Sequence, residues 1–97
     1  MIVKKGYIYI VTNKNNRVLY TGVTSELKER IYRHKIKYYP NSFSSRYNCE
    51  KLVYFEEVGR MDEAIKREKQ IKAGNRARKI KLIESVNPEW RDLYDEI

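Results

Sequence analysis

Two short, largely apolar and aromatic runs stand near the start of the chain, Gly6–Thr12 and Arg17–Gly22, on either side of a polar Asn-Lys-Asn-Asn segment. Val, Ile, Thr and Tyr dominate both runs, and asparagine tolerates the positive φ of tight turns, so the pattern predicts a β-hairpin. With the loop at Asn13–Asn16, Thr12 stands opposite Arg17 and Tyr9 opposite Tyr20. Side chains alternate with a period of two, which puts both tyrosines on one face of the sheet. Tightening the turn by one residue on each side keeps them there. By itself such a pair reads as aromatic cross-strand packing, worth about 0.2–1 kcal/mol.

The period then changes to that of a helix. Thr24 or Ser25 can cap it, Glu26 and Glu29 suit the positive end of its dipole, and Pro40 stops it, which predicts a helix from Glu26 to Tyr38. Leu27, Ile31 and Tyr38 form its apolar stripe. Arg30 and His34 fall on or beside that stripe, one turn apart, and an arginine placed toward a core requires an anionic partner. Residues 39–50 carry turn formers and no period, predicting a surface loop with one helical turn near Ser45–Asn48. Cys49 lies in no reactive motif and reads as a small, half-buried hydrophobe. Lys51–Val58 is a strand with apolar residues at both parities, so both its faces are expected to be covered. Gly59 ends it.

A helix from Asp62 to Ala73 follows, with Gly74 at its C-cap. Met61, Ala64, Ile65 and Ile71 define its apolar arc, and Glu68 falls near the middle of that arc. A carboxylate there is costly without a cation as partner, either an arginine or an oxygen-preferring metal ion. A second basic helix is expected from Asn75 or Arg76 to Ser85, burying Ile80, Leu82 and Ile83. Trp90, Leu93 and Tyr94 then dock the acidic tail. The expected architecture is α/β (α+β): a small, three-stranded, mainly antiparallel sheet flanked by three or more helices. It forms one domain over residues 1–97, with a core of about 6–85 and a docked tail at 86–97.

Charge gives this scaffold a partner. The formal net charge is +8 and the pI about 9.6. Residues 66–81 hold eight cations against Glu68 alone, so few internal ion pairs can account for the run. A strip that tracks phosphates accounts for it better, with Lys66, Lys69, Lys72, Arg76, Arg78 and Lys79 as candidate nucleic-acid-binding residues. Nine of the twelve aromatic residues are tyrosine, which suits half-wet surfaces. The single cysteine excludes an internal disulfide and fits a reducing, cytoplasmic setting. No run has the length of a membrane span, and the first residues lack the apolar core of a signal peptide.

Taken together, Tyr7-Ile8-Tyr9, Tyr20-Thr21-Gly22, Arg30, His34 and the segment Arg67-Glu-Lys-Gln-Ile-Lys72 resemble the GIY-YIG nuclease domain. Its pattern is two tyrosine-bearing strands, a helix with an arginine ten residues after the second tyrosine, and a later helix with a metal-binding glutamate. The resemblance covers about residues 6–85. It is nearest the small stand-alone bacterial proteins related to the N-terminal nuclease domain of the repair excinuclease. Two departures stand out. Tyr7 begins the first triplet where many members have glycine, and Val23 stands where the excinuclease carries a lysine near the reacting phosphate.

The resemblance implies a metal-dependent endonuclease acting on DNA or structured RNA. Tyr9, Tyr20, Arg30, His34 and Glu68 would be catalytic, and Glu68 would bind one Mg²⁺ or Mn²⁺. Wheel positions let all five point to one concave sheet face. Arg30 would hold the scissile phosphate, and one tyrosine, Tyr20 ahead of Tyr9, would orient or deprotonate the attacking water. The other reading is a nucleic-acid-binding module of the same fold with weak or no catalysis. A basic structural protein needs only the charge strip. A domain this small also leaves open a homodimer, or a protein partner for targeting.

Overall fold

The first polar break folds as a loop of six residues, not four. In the computed structural model, which describes residues 4–97, β1 (Gly6–Thr12) pairs antiparallel with β2 (Leu19–Thr24). Thr12 lies opposite Leu19, not Arg17, and Tyr9 lies opposite Gly22, not Tyr20. The cause is local. The Asn13 carbonyl Oδ1 accepts from the backbone N–H of Arg17 and Val18, at 2.8 and 3.0 Å, and the Thr12 hydroxyl donates to the Val18 carbonyl at 2.7 Å. These bonds hold residues 17 and 18 in the loop, while Asn16 takes a φ of 60°. The register therefore slips by two residues across the pair. Parity survives, and Tyr9 and Tyr20 remain on one face as diagonal neighbours.

The third strand, β3 (Lys51–Val58), pairs antiparallel with the other edge of β1, giving the order β2-β1-β3. Ile10 is opposite Tyr54 and Val11 opposite Leu52, so Val53 is an extra, bulged residue. The bulge explains the apolar residues at both parities. Leu52 and Phe55 turn to the face of Tyr9 and Val11, while Val53 and Tyr54 turn to the face of Ile8 and Ile10.

Helices cover both faces. On the Ile8/Ile10 face lie α3 (Met61–Ala73) and α4 (Arg76–Val86), through Ala64, Ile71 and Ile83. Gly6 admits α3 closely, since a Cβ there would stand 2.6 Å from that of Ala64. The Tyr9/Val11 face is covered by Leu27 and Ile31 of α1 (Leu27–Lys35), with Cys49 and Leu93. The chain crosses between faces at 87–93. There the buried Asn87 side chain donates to the carbonyls of Val53 and Arg91, and Asp92 and Leu93 bond the backbone of Leu52, closing the β3 edge. The tail packs Leu93 on the Tyr9/Val11 face and ends in a 3₁₀ turn at Tyr94–Glu96.

Three sequence expectations need correction. The helix after Gly22 ends at Lys35, not Tyr38, because Lys37 adopts a φ of 54° and turns the chain; Tyr38 leaves the apolar stripe and is 54% exposed. The helical turn of the loop is α2 (Phe43–Arg46), earlier than Ser45–Asn48, because the Ser42 hydroxyl accepts from the Ser45 N–H and caps it there. Ile65 is exposed rather than buried. The sheet-facing stripe of α3 runs through Ala64, Glu68 and Ile71, and Ile65 lies on its outer side. No helix among the described residues is long and apolar enough to cross a membrane.

Candidate active site

β1 and α1 build the centre of the site. Tyr9 points from the middle strand toward α1, and its ring is fully buried. Its hydroxyl lies 2.9 Å from His34 Nε2, and His34 Nδ1 lies 3.0 Å from the Ser44 hydroxyl. Burial first, then the Arg30 charge, push the His34 pKa down to about 4. The imidazole is therefore neutral at pH 7, with one donor and one acceptor. Burial pushes the Tyr9 phenol up to about 12; the nearby Arg30 guanidinium opposes this, and Tyr20 and Glu68 add to it. The consistent arrangement has the phenol donating to Nε2 and Nδ1–H donating to Ser44.

Tyr20 stands beside this pair, its ring centroid 6.5 Å from that of Tyr9 and 5.6 Å from that of His34, and it is half-buried. Gly22 makes room for the arrangement. A Cβ at Gly22 would lie 2.4 Å from Cζ and Oη of Tyr9. The glycine of the Tyr-x-Gly triplet thus serves packing against the phenol rather than an unusual φ.

Tyr9, Tyr20, Arg30 and His34 line one cleft of about 170 Å³, together with Arg33, Tyr39 and Ser42, Ser44 and Ser45. Arg30 is half-buried, and no carboxylate among the described residues pairs with it. A structural ion pair therefore does not explain its position. A guanidinium held without an anion at a cleft wall is suited to a phosphate.

Glu68 arrives differently from the sequence expectation. It does not share a sheet face with the tyrosines, because α3 covers the opposite face. Wheel arithmetic told which side of the helix faces the sheet, but not which face of the sheet it covers. Glu68 is nonetheless near enough for its charge to act on the Tyr9 phenol. Its side chain is 13% exposed, and its ion pair is a loose one to Lys72, 3.6 Å away. The Lys72 ammonium in turn sits 5.8 Å from the centroid of the Tyr20 ring. Lys72 therefore joins the two layers of the site.

The remaining predicted cations lie on the α3/α4 layer. Lys66, Lys69, Arg76 and Arg78 are exposed and Lys79 is half-buried. Arg78 and Lys79 line a groove of about 230 Å³ between the helices. Arg76 donates to the Asn16 carbonyl at 3.1 Å. Arg67 is structural instead. It pairs with Glu56 at 2.6 Å, and Glu56 also accepts from the Tyr54 hydroxyl. Cys49 is buried, and burial pushes its thiol up to about 11, which removes it as a nucleophile.

Sequence reasoning missed the seryl and aromatic wall of the cleft, Arg33, Tyr39, Ser42 and Ser44. Their signal was the pairing of Ser42 as a helix cap with a second serine two residues on.

This arrangement is that of a small nuclease-type α+β domain, and comparison with known proteins agrees. The GIY-YIG catalytic domain family matches residues 5–81, and the chain belongs to that family, one of nucleases that generally depend on a divalent metal. Its nearer kin are UPF0213 proteins, a small stand-alone branch. One from Syntrophus aciditrophicus is 36% identical over 88% of this chain and 95% of its own length. One from Clostridium perfringens is 39% identical over 94% of this chain and 96% of its own. The solution NMR structure of a UPF0213 protein from Bacillus halodurans shares the fold, with a TM-score of 0.57 and 23% identity over 91% of this chain and 92% of that one.

Proposed function

We propose that this chain is a metal-dependent endonuclease hydrolysing phosphodiester bonds in DNA. The observation that carries the reading is the unpaired Arg30 guanidinium in a cleft shared with Tyr9, Tyr20 and His34, with the Glu68 carboxylate approaching the same phenols from the other layer.

The residues present fit a divalent ion. Glu68 is mostly buried, and its ion pair with Lys72, at 3.6 Å, is loose enough to yield to a metal ion. A single carboxylate suits Mg²⁺ or Mn²⁺ that keeps much of its own hydration. When bound there, the ion would supply charge neutralisation at the phosphate and at the leaving oxygen.

The chain's own groups divide the rest. Arg30 binds the scissile phosphate with its planar fork and stabilises the charge that develops on it. Tyr9 keeps its proton. Moving it to His34 is uphill, since burial raises the phenol to about 12 and lowers the imidazole to about 4. Tyr9 therefore acts as a donor that positions, leaving half-exposed Tyr20 to orient the attacking water or take its proton. His34 fixes the Tyr9 hydroxyl, and Ser44 fixes His34.

Supercoiled plasmid with and without Mg²⁺ or Mn²⁺ tests the reading. Metal-dependent nicking that Glu68→Ala and Arg30→Ala each lower at least about 100-fold supports it, a loss in the range of one removed charge-stabilising group. Tyr20→Phe should cost more than Tyr9→Phe. Equal cleavage by wild type and both charge variants refutes it. The lysine missing at Val23 favours the second reading, a binding module without turnover; metal-dependent cleavage abolished by Glu68→Ala excludes it.

A further inference from the structure

One part of the surface is apolar where the rest is charged. Eight large apolar side chains are exposed among the described residues, and six fall within 32–47: Tyr32, Ile36, Tyr38, Tyr39, Phe43 and Tyr47, each 49–58% exposed. Singly exposed apolar residues are ordinary, but a concentrated patch marks a binding surface.

The rings connect to the cleft through Tyr20 and Tyr39, which line it. Phe43 stacks on Tyr20, with centroids 6.3 Å apart and planes 27° apart, and Tyr47 packs on Phe43 at 4.7 Å. On the other side of the cleft Tyr38 meets Tyr39 edge-on at 4.8 Å, and the Arg33 guanidinium lies over the Tyr38 ring at 4.9 Å. The short helix α2 and the turn at Lys37 hold these faces outward.

The charge of the patch selects the occupant. Residues 32–47 contain Arg33, Lys35, Lys37 and Arg46 and no acid; Arg33 and Lys35 are paired with Glu29 and Asp92 outside the segment, while Lys37 and Arg46 have no carboxylate partner among the described residues. Two copies meeting patch to patch would set Lys37 and Arg46 against their own kind, whereas a polyanion complements them. In a duplex the base faces are already stacked on one another. In a single strand they are free to stack on aromatic rings and on guanidinium planes. We propose that the aromatic patch is a platform for unpaired bases of single-stranded DNA, continuous with the cleft and leading the strand's phosphates to Arg30. This rests on the reading of the cleft as a DNA-cleaving site and names the form of DNA it takes.

Fluorescence anisotropy in EDTA tests the platform without turnover. The probes are a short labelled oligothymidylate, an abasic strand of equal length and phosphate count, and a duplex. Wild type should bind the oligothymidylate tightest. Phe43→Ala and Tyr47→Ala should each weaken it about 5- to 150-fold, the range of one lost base–aromatic stack, and leave the abasic strand unchanged. Phe43→Trp should retain binding, and circular dichroism should show all variants folded. Equal affinity for abasic and base-bearing strands, or unchanged binding by both alanine variants, overturns the proposal. So does a concentration-dependent dimer that Phe43→Ala abolishes, since a second copy would then occupy the patch. Metal-dependent nicking with no base dependence of binding would leave the nuclease reading standing and remove only the platform.

Discussion

Replacing Gly22 by alanine should damage the fold through a single ring. The new Cβ would lie 2.4 Å from Cζ and Oη of Tyr9 and 2.8 Å from its Cε1. A flexible side chain could swing away from so short a contact, but the Tyr9 ring is fully buried, and its hydroxyl is held by His34 at 2.9 Å. Overpacking of this kind costs about 1–3 kcal/mol. Pulling the phenol off Nε2 adds about 0.5–1.5 kcal/mol. A loss of about 2–4 kcal/mol is therefore expected, a large share of the stability of a domain of this size. In urea, where m is about 1–3 kcal/mol/M, the unfolding midpoint should fall by about 1–2 M. Tyr9→Leu in the same background is the control, because it removes the three clashing atoms. The double variant should be no less stable than Tyr9→Leu alone, giving a coupling as large as the Gly22→Ala loss itself, about 2–4 kcal/mol. Gly22→Ala within about 0.5 kcal/mol of wild type, or a double variant in which the two losses simply add, would refute the packing argument.

Acid should destabilise the fold through His34. Its folded pKa, about 4, lies below the unfolded value, so its contribution is present above about pH 6.5 and is lost as pH falls toward 4. Discounted for partial exposure, the loss is about 1 kcal/mol between pH 7 and 5.5, and urea midpoints should show it in wild type but not in His34→Gln. Asn87→Ala should cost about 2–3 kcal/mol by the same measurement, since it orphans the buried Val53 carbonyl and both the N–H and C=O of Arg91. Lys72→Ala should tighten Mn²⁺ binding about 1.5- to 5-fold, because its exposed ammonium competes loosely for the mostly buried Glu68. Calorimetric titration of Mn²⁺ checks this, and unchanged or weaker binding would place the ion elsewhere.

The elements were legible because their periods are unambiguous, and the errors fall where side chains bond the backbone. Asn13 lengthened the hairpin loop by bonding Arg17 and Val18, and Ser42 set the start of α2. Neither bond shows in hydropathy. The two tyrosines were still placed on one face, since a slip of two residues preserves parity. The error over Glu68 is of another kind. Every residue of β1 except Tyr7 is buried, which means both faces of the middle strand are covered. The same inference was drawn for β3 from its doubled parity, and β1 carried the signal as clearly. A sheet covered on both faces cannot present all its helices to one cleft.

That layering gives the site its geometry. Arg30 and His34 reach Tyr9 and Tyr20 from α1, on the face these phenols occupy. Glu68 and Lys72 come from α3, on the other face, and can meet the phenols only past a strand at the sheet's margin. β2 is that strand. It presents Gly22, whose missing side chain the Tyr9 ring fills, and Tyr20, over which Lys72 extends. A middle strand would bar the carboxylate by its own hydrogen-bonded neighbours on both sides. In this fold the second tyrosine triplet lies on that edge strand, and its glycine faces the phenol of the first. The same layering shows how a residue at the heart of the core can also line the cleft: burial that holds Tyr9 protonated also fixes its hydroxyl, and in the proposed reaction leaves the open edge, with Tyr20, as the place where water and phosphate would meet.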